Sequence, residues 1–280
     1  ETMTSVEGLG AGTAYADTLT GDDSANLLLG GGGIGGADTI IANGGDDTFQ
    51  LDGAPALIDG GSGNDTITRF TQTRVNPDAD ANGLAEEETT TNGVIVDLSL
   101  NLIVNDGFGR SGALVSIENV GGSEGNDTLT GDAGDNILRG LGGNDTLIGG
   151  LGNDTLNGGD GTDTASYAGA SNGVRVALVA QNNPQETDQG IDTLVGIENL
   201  IGSGFGDILT GDSNVNVLSG GDGDDTILGG LGDDTIDGGL GIDTNSYDDG
   251  ARTTGVSVTM TGGGSGSMSI AGETDLFTAL

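Results

Sequence analysis

The chain has 280 residues, 59 of them Gly, or about 21% against a usual share of about 7%, which excludes an ordinary helical domain. Six Arg and no Lys stand against 44 Asp and Glu for a net charge of -38, so phosphates and anionic membranes would be repelled. His and Cys are both absent, which removes imidazole bases, thiol nucleophiles and the zinc, haem and iron–sulfur sites built on them, and leaves paired carboxylates and an oxygen-seeking cation as the expected chemistry.

Hydrophobic residues make up 33% and aromatic residues 3%, too few for one large conventional core. No apolar stretch approaches the 18 or more residues of a membrane span, and Glu1 opens the chain without a basic and apolar signal segment, so the expectation is a soluble piece of a longer protein. Without Lys the many Gly-rich loops are poor phosphate sites. An acidic, Gly-rich composition also fits disorder, but the periodicity argues against it.

Residues 1–68 form a first, irregular block of nine-residue repeats: GTAYADTLT from Gly12, GDDSANLLL, three extra glycines, then GIGGADTII, ANGGDDTFQ, LDGAPALID and GGSGNDTIT. Residues 69–121 read as a spacer whose part from Arg74 to Gly93, with Pro77, Asp78, Asp80 and the run Glu86, Glu87, Glu88, predicts a solvated loop. A second block, 122–166, runs without a slip as GSEGNDTLT, GDAGDNILR, GLGGNDTLI, GGLGNDTLN and GGDGTDTAS. After a spacer at 167–201, the third block, 202–246, repeats the second nonad for nonad, with Gly202 standing where Gly122 does, and 247–280 reads as a truncated spacer. The spacers recur in the same phase: GVIVDL at Gly93 with GVRVAL at Gly173, and SIENV at Ser116 with GIENL at Gly196. Both ends of the chain therefore read as cuts inside the array.

Sixteen nonads result, with Asp at position 6 in twelve and a large apolar residue at position 8 in fourteen. Six turn residues followed by three strand residues predict an all-β coil in which short strands alternate between two stacked sheets and nonad n lies against nonad n+2 at about 4.8 Å. Position 8 then points inward, and position 6 sits at the turn edge. Gly at positions 1, 2 and 4 permits positive φ and lets loop carbonyls face inward. Stacking such turns brings carboxylates together, where at about 5 Å and an effective dielectric near 20 two of them repel by roughly 3 kcal/mol. A divalent cation resolves that conflict, and calcium, with 6 to 8 oxygen ligands in flexible geometry, suits a cage of carbonyls and carboxylates better than magnesium does. The expected ligands are Asp38, Asp47, Asp65, Asp127, Asp145, Asp154, Asp163, Asp207, Asp225, Asp234 and Asp243, with the backbone carbonyls of Gly140, Gly142, Gly149, Gly158, Gly220, Gly229 and Gly238. Asp22, Asp132 and Asp212 at position 2 always accompany Asn at position 6, as charge compensation, as an Asx turn or as further ligands.

The segments GGLGNDTLN and GGDGDDTIL closely resemble the GGxGxDxUx nonads of the RTX, or haemolysin-type calcium-binding, repeat family. That resemblance implies parallel β-rolls, several calcium ions at the turns, type I export and folding on reaching external calcium. Ala56, which has no ligating group, and the glycine insertion before Gly33 depart from the pattern and weaken the first block.

Other features read more plainly. Thr at position 7 is strand propensity and a hydroxyl ladder. An ice-binding face would need one residue repeated at position 3, where Glu124, Ala133, Gly142, Leu151 and Asp160 stand instead. A glycosidase pair among Asp97, Glu118, Asp192 and Glu198 is disfavoured, because Glu118 and Glu198 recur in the IEN motif and so predict packing or capping. Tyr167 and Tyr247, each just after a block, read as end caps. The expectation is a non-catalytic, calcium-stabilised repeat region of a secreted or cell-surface bacterial protein, of the stalk, adhesin or surface-layer kind. Its partners would be calcium, neighbouring modules, cell-surface polysaccharide or other copies of itself, with no nucleic acid and no membrane span. The alternative is the export and folding tail of a secreted protease, lipase or alginate-modifying enzyme.

Overall fold

The computed structural model describes residues 8–11, 18–30, 38–51, 55–70, 73–76, 86–89, 91–246, 257–262, 265–270 and 273–278. Among them the chain is β throughout, apart from one short 3-10 turn, Leu178–Ala180. It forms two compact units, Glu1–Asp145 and Thr146–Leu280, so the division falls inside the second run of nonads and neither unit coincides with a block.

Positions 7 to 9 of a nonad make the strand, as in Thr39–Ile41, Thr128–Thr130 and Thr226–Leu228. A Thr and an aliphatic residue suit the extended backbone, and the middle residue of each such strand is buried. In Ile137–Gly142, Thr155–Asp160, Val217–Asp222 and Thr235–Leu240 the strand runs on into the start of the next nonad.

In the first unit, one sheet runs through Leu27–Gly30, Thr48–Leu51, Thr66–Phe70, Asn119–Gly121 and Ile137–Gly142, each parallel to the next. The other runs through Thr18–Thr20, Thr39–Ile41 and Leu57–Asp59, also parallel. Consecutive nonads thus alternate between sheets, and nonad n pairs with n+2. The side chains at position 8 face one another in register, Leu19 with Ile40 and Ile58, and Leu28 with Phe49 and Ile67. They are all buried and form the core of this unit.

The first spacer is built into these sheets. Gly112–Val115 lies parallel to Leu57–Asp59, Leu102–Asn105 and Ile95–Asp97 follow antiparallel, and Ile95–Asp97 then lies parallel to Thr128–Thr130. Buried Leu114 and Val96 prolong the apolar ladder opposite Ile58 and Leu129. Part of the expected acidic loop is instead a two-stranded antiparallel ladder, Thr73–Asn76 with Glu86–Thr89. Thr and Val favour extended backbone there, which the charge run alone did not reveal. Pro77, Asp78 and Asp80 lie outside the described residues.

In the second unit, Thr146–Ile148, Thr164–Ser166, Asn199–Ile201, Val217–Asp222 and Thr235–Leu240 form a sheet, with parallel pairing throughout. Glu273–Thr278 joins it in parallel and continues as an antiparallel meander through Ser265–Ile270 and Ser257–Gly262. A second sheet holds Arg175–Ala177, Ile208–Thr210, Thr226–Leu228 and Thr244–Asn245. Elsewhere, Thr155–Asp160 pairs in parallel with Ile191–Val195, which carries the antiparallel Gln185–Glu186.

Candidate metal centre

The turns that carry most of the predicted ligands share one backbone shape. Positions 2 and 4 both have positive φ, as at Gly61 and Gly63 (92° and 149°), Gly221 and Gly223 (109° and 124°) and Gly239 and Gly241 (96° and 147°). Two non-glycine residues take the same conformation at position 2, Asn43 at 78° and Leu141 at 83°. Glycine serves there a second time, because the carbonyl of the equivalent residue one stacked turn earlier lies where a side chain would go: Asn43 O at Gly61, Gly221 O at Gly239 and Gly223 O at Gly241. Position 1 is glycine for a third reason. A Cβ on Gly60 would sit 2.5 Å from Asp65 Oδ2, and one on Gly220 would meet both Asp225 Oδ2 and the Gly238 carbonyl.

The Asp and Asn side chains at position 6 form a ladder along each edge. Each backbone N–H donates to Oδ1 of the Asp two nonads on: Asn26 to Asp47 at 2.7 Å, Asp47 to Asp65 at 2.8 Å, Asp127 to Asp145 at 2.8 Å, Asn216 to Asp234 at 2.9 Å, Asp207 to Asp225 at 2.7 Å and Asp225 to Asp243 at 2.9 Å. Oδ1 is therefore committed to the fold. The other oxygen of Asp47, Asp65, Asp225 and Asp243 is buried and receives no donor. A buried carboxylate oxygen without a partner costs several kcal/mol unless a cation or proton meets it.

Burial, reinforced by neighbouring carboxylates, pushes Asp47 and Asp225 up from 3.8 to about 6, although backbone N–H donors pull the other way. Asp65 moves up for the same reason. Among the described residues no three acidic side chains converge to cage an ion by themselves. A cation at these turns must therefore take most of its ligands from main-chain oxygens, and glycines at positions 1, 2 and 4 make room for that. Many oxygens, few of them carboxylate, in an adaptable cage suit calcium. The predicted carbonyls of Gly140, Gly220, Gly229 and Gly238 lie beside position 1 of the preceding stacked turn, at Gly122, Gly202, Gly211 and Gly220. Gly149 and Gly158 abut the carboxylates of Asp154 and Asp163, while Gly142 faces Glu124. Asp38, Asp145, Asp154, Asp163 and Asp234 are buried at the turn edges. Asp17 and Tyr247 lie outside the described residues.

Two predicted ligands differ from the rest. Asp127 accepts the Ser123 N–H at Oδ2 (2.6 Å), and the Ser123 hydroxyl (2.8 Å) and Val94 N–H (2.7 Å) at Oδ1. Asp207 makes the same three contacts, with Ser203 and Val174, at the same distances. The GV segments at Gly93 and Gly173 thus serve to start an edge of the ladder.

The IEN glutamates end it. Asp65 N–H donates to Glu118 Oε2 and Asp163 N–H to Glu198 Oε2, both at 2.7 Å, where a further Asp would otherwise stand. Their main-chain carbonyls accept Nδ2 of Asn136 and Asn216, both at 2.8 Å, a bond that Asp could not donate. Asn136 and Asn216 at position 6 are thereby explained. The Asp at position 2 that accompanies such an Asn forms an Asx turn: Asp132 Oδ1 accepts Gly134 N–H at 2.7 Å, Asp212 Oδ1 accepts Asn214 N–H at 2.7 Å and Asp22 Oδ1 accepts Ser24 N–H at 2.9 Å.

Sequence reasoning missed one member of the ladder. Asp192 accepts Asp154 N–H at Oδ1 (3.0 Å), while its Oδ2 accepts the hydroxyls of Thr187 (2.9 Å) and Tyr167 (3.1 Å). Leu194 lies in register with Leu156, so GIDTLV from Gly190 is the second half of a nonad inside the spacer, and that resemblance was its available signal. Tyr167 caps this carboxylate; burial and Asp192 hold its phenol well above the usual range.

A family model described as the RTX calcium-binding nonapeptide repeat matches residues 11–35, 35–53, 57–68, 121–156, 130–165 and 210–244. No curated protein matches the chain. Among solved structures, the extracellular lipase LipA from Serratia marcescens aligns at 19% identity over 94% of this chain and 38% of that chain, with a TM-score of 0.16, too low to carry an argument.

Proposed function

We propose that this chain, which is built on RTX calcium-binding nonapeptide repeats, is a non-catalytic structural region that folds on calcium outside the cell and serves as a rigid extender within a secreted or cell-surface protein. The observation that supports this reading most is the repetition of the end contacts. Val94 with Val174, Glu118 with Glu198 and Ser123 with Ser203 make the same bonds, one module apart. A repeated module with repeated ends suits stacking into an array, whereas an active site needs a unique constellation.

Calcium would be held by the inner faces of the glycine turns, with the second carboxylate oxygens of Asp47, Asp65, Asp225 and Asp243 as side-chain ligands. The ion supplies the positive charge that this stack of carboxylates lacks. A calcium-poor interior would leave those turns repelling one another, so folding waits for an external calcium supply. Far-ultraviolet circular dichroism and small-angle scattering of the chain in EGTA, then in calcium, test the coupling: strand content and compactness should rise on calcium addition. Equal compactness in both would remove the folding role.

A further inference from the structure

Resting on the reading of the open glycine turns as calcium sites, we propose that Ser123, Ser203 and the Tyr167–Thr187 pair exclude calcium: they keep Asp127, Asp207 and Asp192 as metal-free carboxylates and so set where each row of ions starts and stops.

The comparison within one edge carries the argument. Asp207 and Asp225 belong to successive turns, each folded back under the first glycine of its own nonad, Gly202 and Gly220. Beside each of these glycines also lies the carbonyl of the next turn's first glycine, Gly220 O and Gly238 O. The surroundings match, yet Asp225 Oδ2 has no donor, whereas Asp207 Oδ2 takes the Ser203 N–H at 2.6 Å. The cause is position 2. Gly221 has φ 109° there, while Ser203 stays out of the left-handed region and turns both its N–H and its hydroxyl onto the carboxylate. The Ser203 N–H takes Oδ2, the oxygen that stays open on Asp225, while the hydroxyl joins the Val174 N–H on Oδ1, so both oxygens carry donors whose positive ends repel a cation.

Asp192 reaches the same state by different chemistry. Beyond its strand the neighbouring segment, Gln185–Glu186, runs antiparallel and brings no further nonad turn to complete a cage. Hydroxyls from Thr187 and Tyr167 fill that place, and all three side chains are buried. Serine at one end and tyrosine with threonine at another thus do what the ion does in between, which removes repulsion without leaving a half-built site.

The test counts calcium per chain by equilibrium dialysis and atomic emission on the whole protein, with circular dichroism confirming that each variant folds in saturating calcium. Asp225→Asn should lose at least one ion, while Asp207→Asn and Asp192→Asn should keep the wild-type number. Loss of an ion in either of the latter two overturns the proposal. Should they fail to fold, Ser203→Gly reads the same point from the opposite side: it should gain one ion, and an unchanged count overturns the exclusion. No calcium on the wild type, or none lost by Asp225→Asn, would instead sink the underlying calcium reading.

Discussion

The two spacers, 69–121 and 167–201, answer the same structural demand with different chemistry. Each sets a Val N–H on the first Asp of the following block, and each returns through a strand parallel to the preceding nonads, Gly112–Val115 in one and Ile191–Val195 in the other. Their inward residues are both buried leucines, Leu114 and Leu194. Between those fixed points they part. In the first, Asp106 is closed by Arg110, Nε to Oδ2 at 2.9 Å, with the Phe108 and Arg110 N–H groups on Oδ1. In the second, the Tyr167, Thr187 and Asp192 cluster satisfies its carboxylate with neutral hydroxyls. The apolar ladder dictates where a strand must lie, whereas a turn edge accepts any arrangement that leaves no buried carboxylate unanswered.

The largest way to break this comparison is to remove the cation. In EGTA the open turns should lose their strand signal, and the spacer edges, which carry their own donors, should melt only because their neighbours do. Hydrogen exchange followed by mass spectrometry should then show the segments around Asp106 and Asp192 as the last to lose protection. Uniform exchange would mean that the edges are not independent of the metal.

Acidity should act on the same carboxylates. Asp47 and Asp225 stand near 6 in the metal-free fold against an ordinary 3.8, so between roughly pH 4 and 6 the folded chain holds protons that the unfolded chain has released. Stability of the calcium-stripped roll is therefore greatest below that window and falls as pH rises through it. With calcium bound the sign reverses, because protons compete for the ligands. Strand content by circular dichroism at pH 4.5 and 7.5, with and without calcium, checks both signs; parallel trends would rule the account out.

Truncating the shared ladder should be costly and equal in both spacers. Leu114→Ala and Leu194→Ala should each cost about 2 to 5 kcal/mol, and agree within about 1, since both remove a fully enclosed leucine from the same register. Denaturant melts in calcium measure this. The divergent edges should behave unequally. Asp192→Ala strands the Tyr167 hydroxyl and the Asp154 N–H and leaves Thr187 only the Gly190 carbonyl, for about 3 kcal/mol, while Arg110→Ala leaves Asp106 two backbone donors and costs roughly 1 kcal/mol. Equal losses would show that the hydroxyl cluster is not the tighter closure.

The smallest effect expected is a gain. Leu141 occupies a glycine position at φ 83°, so Leu141→Gly relieves backbone strain and should raise stability by up to about 1 kcal/mol, less the entropy that glycine loses on folding. A lowered melting temperature would mean that the leucine side chain contributes more than its backbone costs.

Nine-residue periodicity by itself determined the strand positions, the alternation between two sheets, the inward apolar residues and the carboxylates at the turns, because each of these follows from local geometry repeated along the chain. The Glu118 and Glu198 caps were half legible: their recurrence pointed to a structural role but not to the Asp N–H that they hold. Only the tertiary structure decided that the spacers lie within the sheets, that Asp127 and Asp207 meet serine donors, and that Asp192 belongs to the ladder. The serine donors stand only four residues before their aspartates, but the other bonds that tie the spacers in join residues 33 to 53 positions apart, such as Val94 with Asp127, Asp154 with Asp192 and Asp65 with Glu118. A nine-residue period names the partner two nonads away, and it is silent wherever the chain leaves that period to reach its next strand.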